Sequence, residues 1–296
     1  MKTTLCAALL ALSLASPALA ADISTYTVGS MKIVRIVDSA DGVPVKFMFG
    51  DKNVINELVP TGMCPNSISS YVIETKEGLY LIDSGFGDIK PGAMYRNFLK
   101  AGYNPDEVKL VLLTHMHGDH LGGLTKDGKK AFKNAQIYVL DTELAFWKNR
   151  DNTPSVPESQ RFCFDEVEKL LRVYAKQVKT FREGERVVPW LTPISVPGHT
   201  AGHTMFELNW EGEKRYIWGD IIHCLDVQAQ HLEVTVIWDN DRDMARASRM
   251  KALELVADTD VPVFGEHLKS PGVAKFYRDP KGGYRYVLIE PTAPTK

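Results

Sequence analysis

The segment Thr114-His115-Met116-His117-Gly118-Asp119-His120 sets four metal-capable side chains within six residues. It follows an apolar run (Val108, Leu110, Val111, Leu112, Leu113) that reads as a buried strand, and Leu121-Gly122-Gly123-Leu124 comes just after it. The cluster therefore sits where a strand gives way to a loop, which is where α/β proteins place ligand sites. Two histidines at i and i+2 on an extended segment or tight loop can both turn toward one ion. Asp119 and His120 can then reach a neighbouring one. A histidine-rich surface turn is the bland alternative, and this spacing disfavours it.

Two ions need more ligands, and three further segments have the form apolar run, glycine, ligand-type side chain. They are Ile194-Ser195-Val196-Pro197-Gly198-His199, Arg215-Tyr216-Ile217-Trp218-Gly219-Asp220 and Val261-Pro262-Val263-Phe264-Gly265-Glu266-His267. Glycine lets the backbone turn sharply there and brings the ligand close to its neighbours. Imidazole suits zinc, while the carboxylates Asp119 and Asp220 widen the choice to manganese, iron or cobalt. Water shared by two such cations ionises near neutral pH, so a bridging hydroxide is the expected nucleophile. The same cations would polarise the oxygen under attack. Asp83 closes another strand-like run and reads as an acceptor that orients a ligand histidine, or as a loop aspartate making turn hydrogen bonds.

With Leu81-Ile82-Asp83-Ser84-Gly85, the His cluster, Pro-Gly-His199, Gly-Asp220 and Glu-His267 in this order, the chain resembles the metallo-β-lactamase superfamily in its dinuclear hydrolase form. The resemblance runs from Tyr26 to about Tyr286. It implies an αββα sandwich. It also implies a first ion held by His115, His117 and His199, a second held by Asp119, His120 and His267, and Asp220 bridging the pair. Asp119 and Asp220 are the carboxylates placed closest to the chemistry.

The amino terminus carries one basic residue, Lys2, an apolar run from Leu5 to about Leu14, and Ala18-Leu19-Ala20 of the A-x-A cleavage type. Residues 1–20 are expected to be a cleaved secretory signal, too short to span a bilayer. Cys6 lacks a lipoprotein box, so no membrane anchor is expected, and the bacterial periplasm is the natural destination. Cys64, Cys163 and Cys224 remain, so at least one is left out of any intrachain pair. A disulfide is permitted in that compartment, with its partners undetermined. Residues 21–296 fit one domain. A net charge of −2 without a basic patch argues against a nucleic-acid partner.

Strands are expected at residues 26–37, 69–74, 79–82, 109–113, 136–140, 205–208, 216–218 and 261–264, and helices at 94–101 and 242–257. Their alternation indicates α/β. Residues 151–157 carry two prolines and read as a loop. Beyond them Val167, Leu170, Leu171, Tyr174 and Val178 mark one helix face, so residues 151–180 are expected to cap the site. Trp147, Phe162 and Phe164 line an apolar pocket in that reading, or else belong to the core. His223 is either a substrate-facing hydrogen-bond donor or structural.

Ala101-Gly102-Tyr103-Asn104-Pro105, Phe146-Trp147, Pro197-Gly198-His199-Thr200-Ala201-Gly202-His203-Thr204 and Gly282-Gly283-Tyr284-Arg285-Tyr286 extend the similarity. They resemble secreted methyl parathion hydrolase-like enzymes and acyl-homoserine lactonases, relatives that are often homodimers. Ile221-Ile222-His223-Cys224 is the more lactonase-like stretch. The expected activity is hydrolysis of a small-molecule lactone or ester, with a phosphotriester as the alternative. A β-lactamase is disfavoured because its common type has cysteine where this chain has Asp220. A glyoxalase II-like enzyme would need a glutathione-binding carboxy terminus, and a ribonuclease Z-like one a basic surface. A non-catalytic metal-binding protein would need every coordination position filled by protein.

Overall fold

The computed structural model describes residues 22–292; the expected signal segment lies outside them. Seven strands form the first sheet: β1 (Ile23–Val28), β2 (Met31–Ser39), β3 (Ile68–Thr75), β4 (Gly78–Ile82), β5 (Val108–Leu112), β6 (Gln136–Leu140) and β7 (Val178–Phe181). They lie in that spatial order. Six form the second: β8 (Leu191–Ser195), β9 (Thr204–Trp210), β10 (Glu213–Ile217), β11 (Val263–Phe264), β12 (Val273–Arg278) and β13 (Tyr284–Leu288), again in order. The first four strands meander antiparallel, then β4 to β7 pair in parallel. Parallel neighbours need crossovers: helix Met94–Lys100 lies in that from β4 to β5, the short turn Gly118–Leu121 in that from β5 to β6, and helices Asp141–Lys148 and Cys163–Tyr174 in that from β6 to β7.

Period-two alternation distributes the apolar side chains between layers. On β3, Tyr71 and Ile73 face inward to meet Phe206, Leu208, Ile217 and Phe264 of the second sheet. Val72 between them faces the other way, toward Phe98, Trp147, Phe164 and Leu170 on the outer helices. The far face of the second sheet packs Met205, Tyr216 and Val263 against Ala252, Leu253 and Val256 of helix Arg242–Val256. Asp241 caps that helix by accepting from the Met244 amide at 2.9 Å. The layers run helix, sheet, sheet, helix, as the αββα expectation requires. Among the described residues no helix is long and apolar enough to cross a membrane.

Two expected elements are corrected. Residues 26–37 are not one strand but parts of a hairpin, because Gly29 at φ +55° and Ser30 form a two-residue turn between Val28 and Met31. Val178 opens β7 rather than closing a helix face, because Ala175 at φ +44° ends the helix after Tyr174.

The site is placed by one feature of this topology. β4 and β5 run parallel in one sheet, and β8, β10 and β11 run parallel to one another in the other. Asp83, His115, His199, Asp220 and His267 each follow the carboxyl end of one of these strands. Two turns need glycine to do it. At Gly198 (φ +126°) a Cβ would collide with the backbone of Ala245, and at Gly219 (φ +62°) with the His203 ring.

Candidate metal centre

After β5 the chain stays extended through His117 (φ −70°, ψ 158°), then makes a single helical turn at Gly118–Leu121. His115 and His117 therefore project from extended backbone, while Asp119 and His120 project from the turn. The two pairs join different clusters. His115, His117, His199 and Asp220 place one donor atom each within 4.8 Å of one another, as do Asp119, His120 and His267. Asp220 lies between them. Its Oδ2 is 3.1 Å from Nε2 of His199 and of His267, and its Oδ1 is 3.2 Å from Nε2 of His120. The carboxylate of Asp119 sits 3.4 Å from His267 Nε2. All seven side chains of the sequence-derived ligand set meet here.

These donors fit a cation. The Nε2 atoms of His115, His117, His120, His199 and His267 and Oδ1 of Asp220 are buried, and none has a hydrogen-bond partner despite the short approaches to Asp220. Buried polar atoms are costly when unpaired, and five imidazoles aimed at two carboxylates are the donor set of a divalent metal.

The opposite ring nitrogens are tied to the protein. Asp83, at φ +56°, accepts from His120 Nδ1 at 2.7 Å and from the Thr114 amide and hydroxyl at 2.8 and 2.7 Å. Asp239 accepts from His199 Nδ1 at 2.8 Å. Asn66 Oδ1 lies 3.3 Å from His267 Nδ1. Such partners turn Nε2 toward the ion and fix the tautomer. His203 serves Asp220 differently: its Nε2 accepts from the Asp220 amide at 2.9 Å, and Nδ1 contacts the Val196 carbonyl at 3.2 Å. Burial, with the neighbouring His199, holds His203 down to about 3, so it stays neutral. Asp239 and Asn66 follow no apolar run and glycine and carry no signal of their own in the sequence, and His203 stands there only within the motif Pro197-Gly198-His199-Thr200-Ala201-Gly202-His203-Thr204.

Burial alone would depress the ligand imidazoles. Asp220 and Asp239 override it at His199, raised to about 9, and Asp220 and Asp119 do so at His267, raised to about 10. In the metal-free protein both rings are therefore protonated at pH 7.5. Their contribution to metal-free stability is complete below the ordinary histidine value near 6.5 and is lost as pH rises through about 9 to 10. A metal needs Nε2 bare, so zinc addition at pH 7.5 is expected to release about two protons or more per chain, with affinity increasing toward pH 9. An indicator-dye or pH-stat titration reads this directly. Zinc uptake without proton release would contradict it.

Residues 65–278 match the metallo-beta-lactamase superfamily. The chain belongs to that superfamily. A probable metallo-hydrolase of Mycobacterium tuberculosis is 24% identical over 229 residues, 66% of each chain. An N-acyl homoserine lactonase of Bacillus thuringiensis is 28% identical over 179 residues, 53% of this chain and 64% of that one. The chain thus spans slightly less than two thirds of the length of these curated relatives. Among solved structures, the hydrolase AbOPH of the beta lactamase superfamily aligns with a TM-score of 0.83 at 26% identity, covering 92% of this chain and 99% of that one. AidC, a dizinc quorum-quenching lactonase solved with an N-acyl homoserine product, gives 0.84 at 23% identity, covering 91% and 98%. At that identity the likeness speaks for the fold.

In this member of the superfamily a cleft of about 320 Å³ opens over the donors, with His117, Asp119, His199, Asp220 and His267 on its floor. Phe47, Phe86, Phe162 and Trp238 form apolar walls, and Asp41, Lys90 and Ser159 bring polar groups to it. Phe47 and Trp238 pack together at 5.6 Å and were not among the aromatics expected here. Of those, Phe162 lines the cleft and is 37% exposed. Trp147 and Phe164 do not line it. Both are buried in the core, 4.8 Å apart. Trp147 braces the back of His117 at 5.7 Å, and its indole N–H donates to Glu143, which also accepts from the amides of Met116 and Gly202. His223 lines the cleft, with Nε2 3.1 Å from Asp220 Oδ2 and its ring stacked on His267 at 4.7 Å.

Proposed function

We propose that this chain is a secreted, two-metal hydrolase that opens lactones or cleaves related small esters. The observation that carries the reading is the pair of donor clusters at the floor of an apolar-walled cleft, with Asp220 of the first 3.1 and 3.2 Å from His267 and His120 of the second. His115, His117 and His199 would hold one ion, Asp119, His120 and His267 the other, with Asp220 between them. Zinc is the expected metal for five imidazoles, and manganese, iron or cobalt are compatible with the carboxylates. Bound divalent cations would supply an acidified water as nucleophile and a positive field for the developing oxyanion.

The chain's own residues do the rest. Asp83 and Asp239 hold the His120 and His199 rings in the orientation that presents Nε2. His223 Nε2–H donates to Asp220 Oδ2 and steadies that carboxylate. Phe47, Phe86, Phe162 and Trp238 offer an apolar surface to an acyl chain and keep bulk water from the carbonyl. A closed, purely structural metal site would not carry its ligand Asp119 on the floor of an open cleft. The named lactonases among the relatives support a lactone over other esters.

A disulfide between Cys64 and Cys224 supports export, because such bonds persist in oxidising compartments. The bacterial periplasm is the proposed location, consistent with the A-x-A segment at residues 18–20.

The substrate class is tested by comparing kcat/KM of zinc-loaded protein for an acyl-homoserine lactone, a simple δ-lactone, an aryl ester, a methyl phosphotriester and a cephalosporin. The lactones should lead by at least about tenfold, a difference of about 1.4 kcal/mol in transition-state stabilisation. A lead for the phosphotriester or the cephalosporin would remove the lactone assignment.

A further inference from the structure

The ring nitrogens that face away from the proposed ions are not held equally. His120 and His199 each meet a buried carboxylate, at 2.7 and 2.8 Å. His267 meets the neutral amide of Asn66, at 3.3 Å. A neutral acceptor at that distance orients a ring less firmly than a charge-assisted bond. His267 therefore depends on how well Asn66 itself is fixed.

Asn66 is fixed by what surrounds it. Its Nδ2 donates to the His223 carbonyl at 2.7 Å and to the His267 carbonyl at 3.0 Å. Two residues before it, Cys64 is bonded to Cys224, the residue after His223. Gln228 Oε1 accepts from the amides of both His223 and Cys224, at 2.8 and 2.9 Å, and so anchors the other half of the bridge. The disulfide joins segments 160 residues apart in the chain. It closes a short circuit from Cys64 to Asn66, across to His223, and back through Cys224. Both sulfurs are fully buried, in a small cluster with Met48, Val227 and Val234.

We infer that Asn66 is the positioning residue for His267, and that the Cys64–Cys224 disulfide, by holding Asn66 against the His223 and His267 carbonyls, sets the occupancy of the second ion. The inference rests on the two-ion reading above. Without the bridge, the segment around residues 63–66 loses its covalent tie to Cys224 and keeps its two-residue pairing with Val43 and Pro44, the bonds of Met63 to the Thr61 hydroxyl and those of its side chains. The amide then no longer meets His267 at a fixed angle, and the cluster of Asp119, His120 and His267 loses its least firmly held ligand. In the first cluster His199 keeps its bond to Asp239, which lies on another segment. The second ion is thus filled fully only where the disulfide has formed.

The test is zinc release from the fully loaded chain to a chromogenic chelator, which resolves the two ions by affinity. Asn66→Ala and the double variant Cys64→Ala/Cys224→Ala should each weaken one ion by about 10–100-fold and leave the other at its wild-type value. Asp239→Asn should instead weaken the ion that those variants spare. Asn66→Asp, which keeps an acceptor for His267 Nδ1 but sets an oxygen in place of the donor to the His223 and His267 carbonyls, should not recover the loss. Two ions held as in the wild type by Asn66→Ala would overturn the inference. Equal weakening of both would overturn it too, as the sign of a general loss of structure. A wild-type chain that holds fewer than two zinc ions would remove the two-ion reading and this inference together.

Discussion

Asp220→Ala is expected to strip metal from both donor clusters and to lower hydrolysis by at least about 10³-fold, more than the 10–100-fold typical of losing an orienting partner. The reason is its position. Its two oxygens lie within 3.1–3.2 Å of His199 in the first cluster and of His267 and His120 in the second, and His115 Nε2 is 3.7 Å away. Removing the carboxylate also removes the largest of the charges that raise His199 and His267, leaving Asp239 and Asp119 beside them. The remaining donors would be too few to retain both ions. Metal analysis of the dialysed variant reads this without any assay of turnover. Two equivalents still tightly bound would show that Asp220 does not join the sites.

The second large effect separates packing from substrate contact. Trp147→Ala removes a fully buried indole behind His117 and leaves Glu143 short of one of its three donors. It should cost about 3–5 kcal/mol of stability, a fall in Tm of more than about 6 °C. Phe162→Ala removes a ring that is 37% exposed on the cleft wall. It should change Tm by little, within about 1 kcal/mol, and raise KM for a long-chain acyl substrate while sparing a short one. Thermal unfolding and chain-length kinetics on the two variants decide the matter. A stable Trp147→Ala protein with raised KM would return that residue to the pocket.

Those two aromatics illustrate what the sequence could convey. Four donors were legible from their crowding within six residues after an apolar run, and His199, Asp220 and His267 because each follows an apolar run and a glycine, a local pattern that reports its own place at a strand end. The layered architecture was legible for the same reason: runs such as residues 79–82 and 109–113 carry their period with them. Which wall a ring joins is not local. Trp147 and Phe162 differ by the helical geometry between them and by what packs behind, and only Phe162 emerges on the cleft. Phe47 and Trp238, 191 positions apart, meet because the short pairing of Met48–Phe49 with Thr235–Val236 brings their segments together. Asp239 and Asn66 act through histidines 40 and 201 positions away, with no pattern of their own. The hairpin at Gly29-Ser30 is hard to see from the apolar pattern, because buried residues continue on both sides of the turn.

The central claim is that hydrolysis here needs the two ions that these seven side chains can hold. Protein freed of metal by a chelator, then titrated with zinc while acyl-homoserine lactone opening is followed, tests it most directly. The account predicts no turnover without metal and a rise to full activity that ends at two equivalents per chain. Lactone opening that persists in the metal-free protein, or that reaches its maximum at one equivalent, would contradict it.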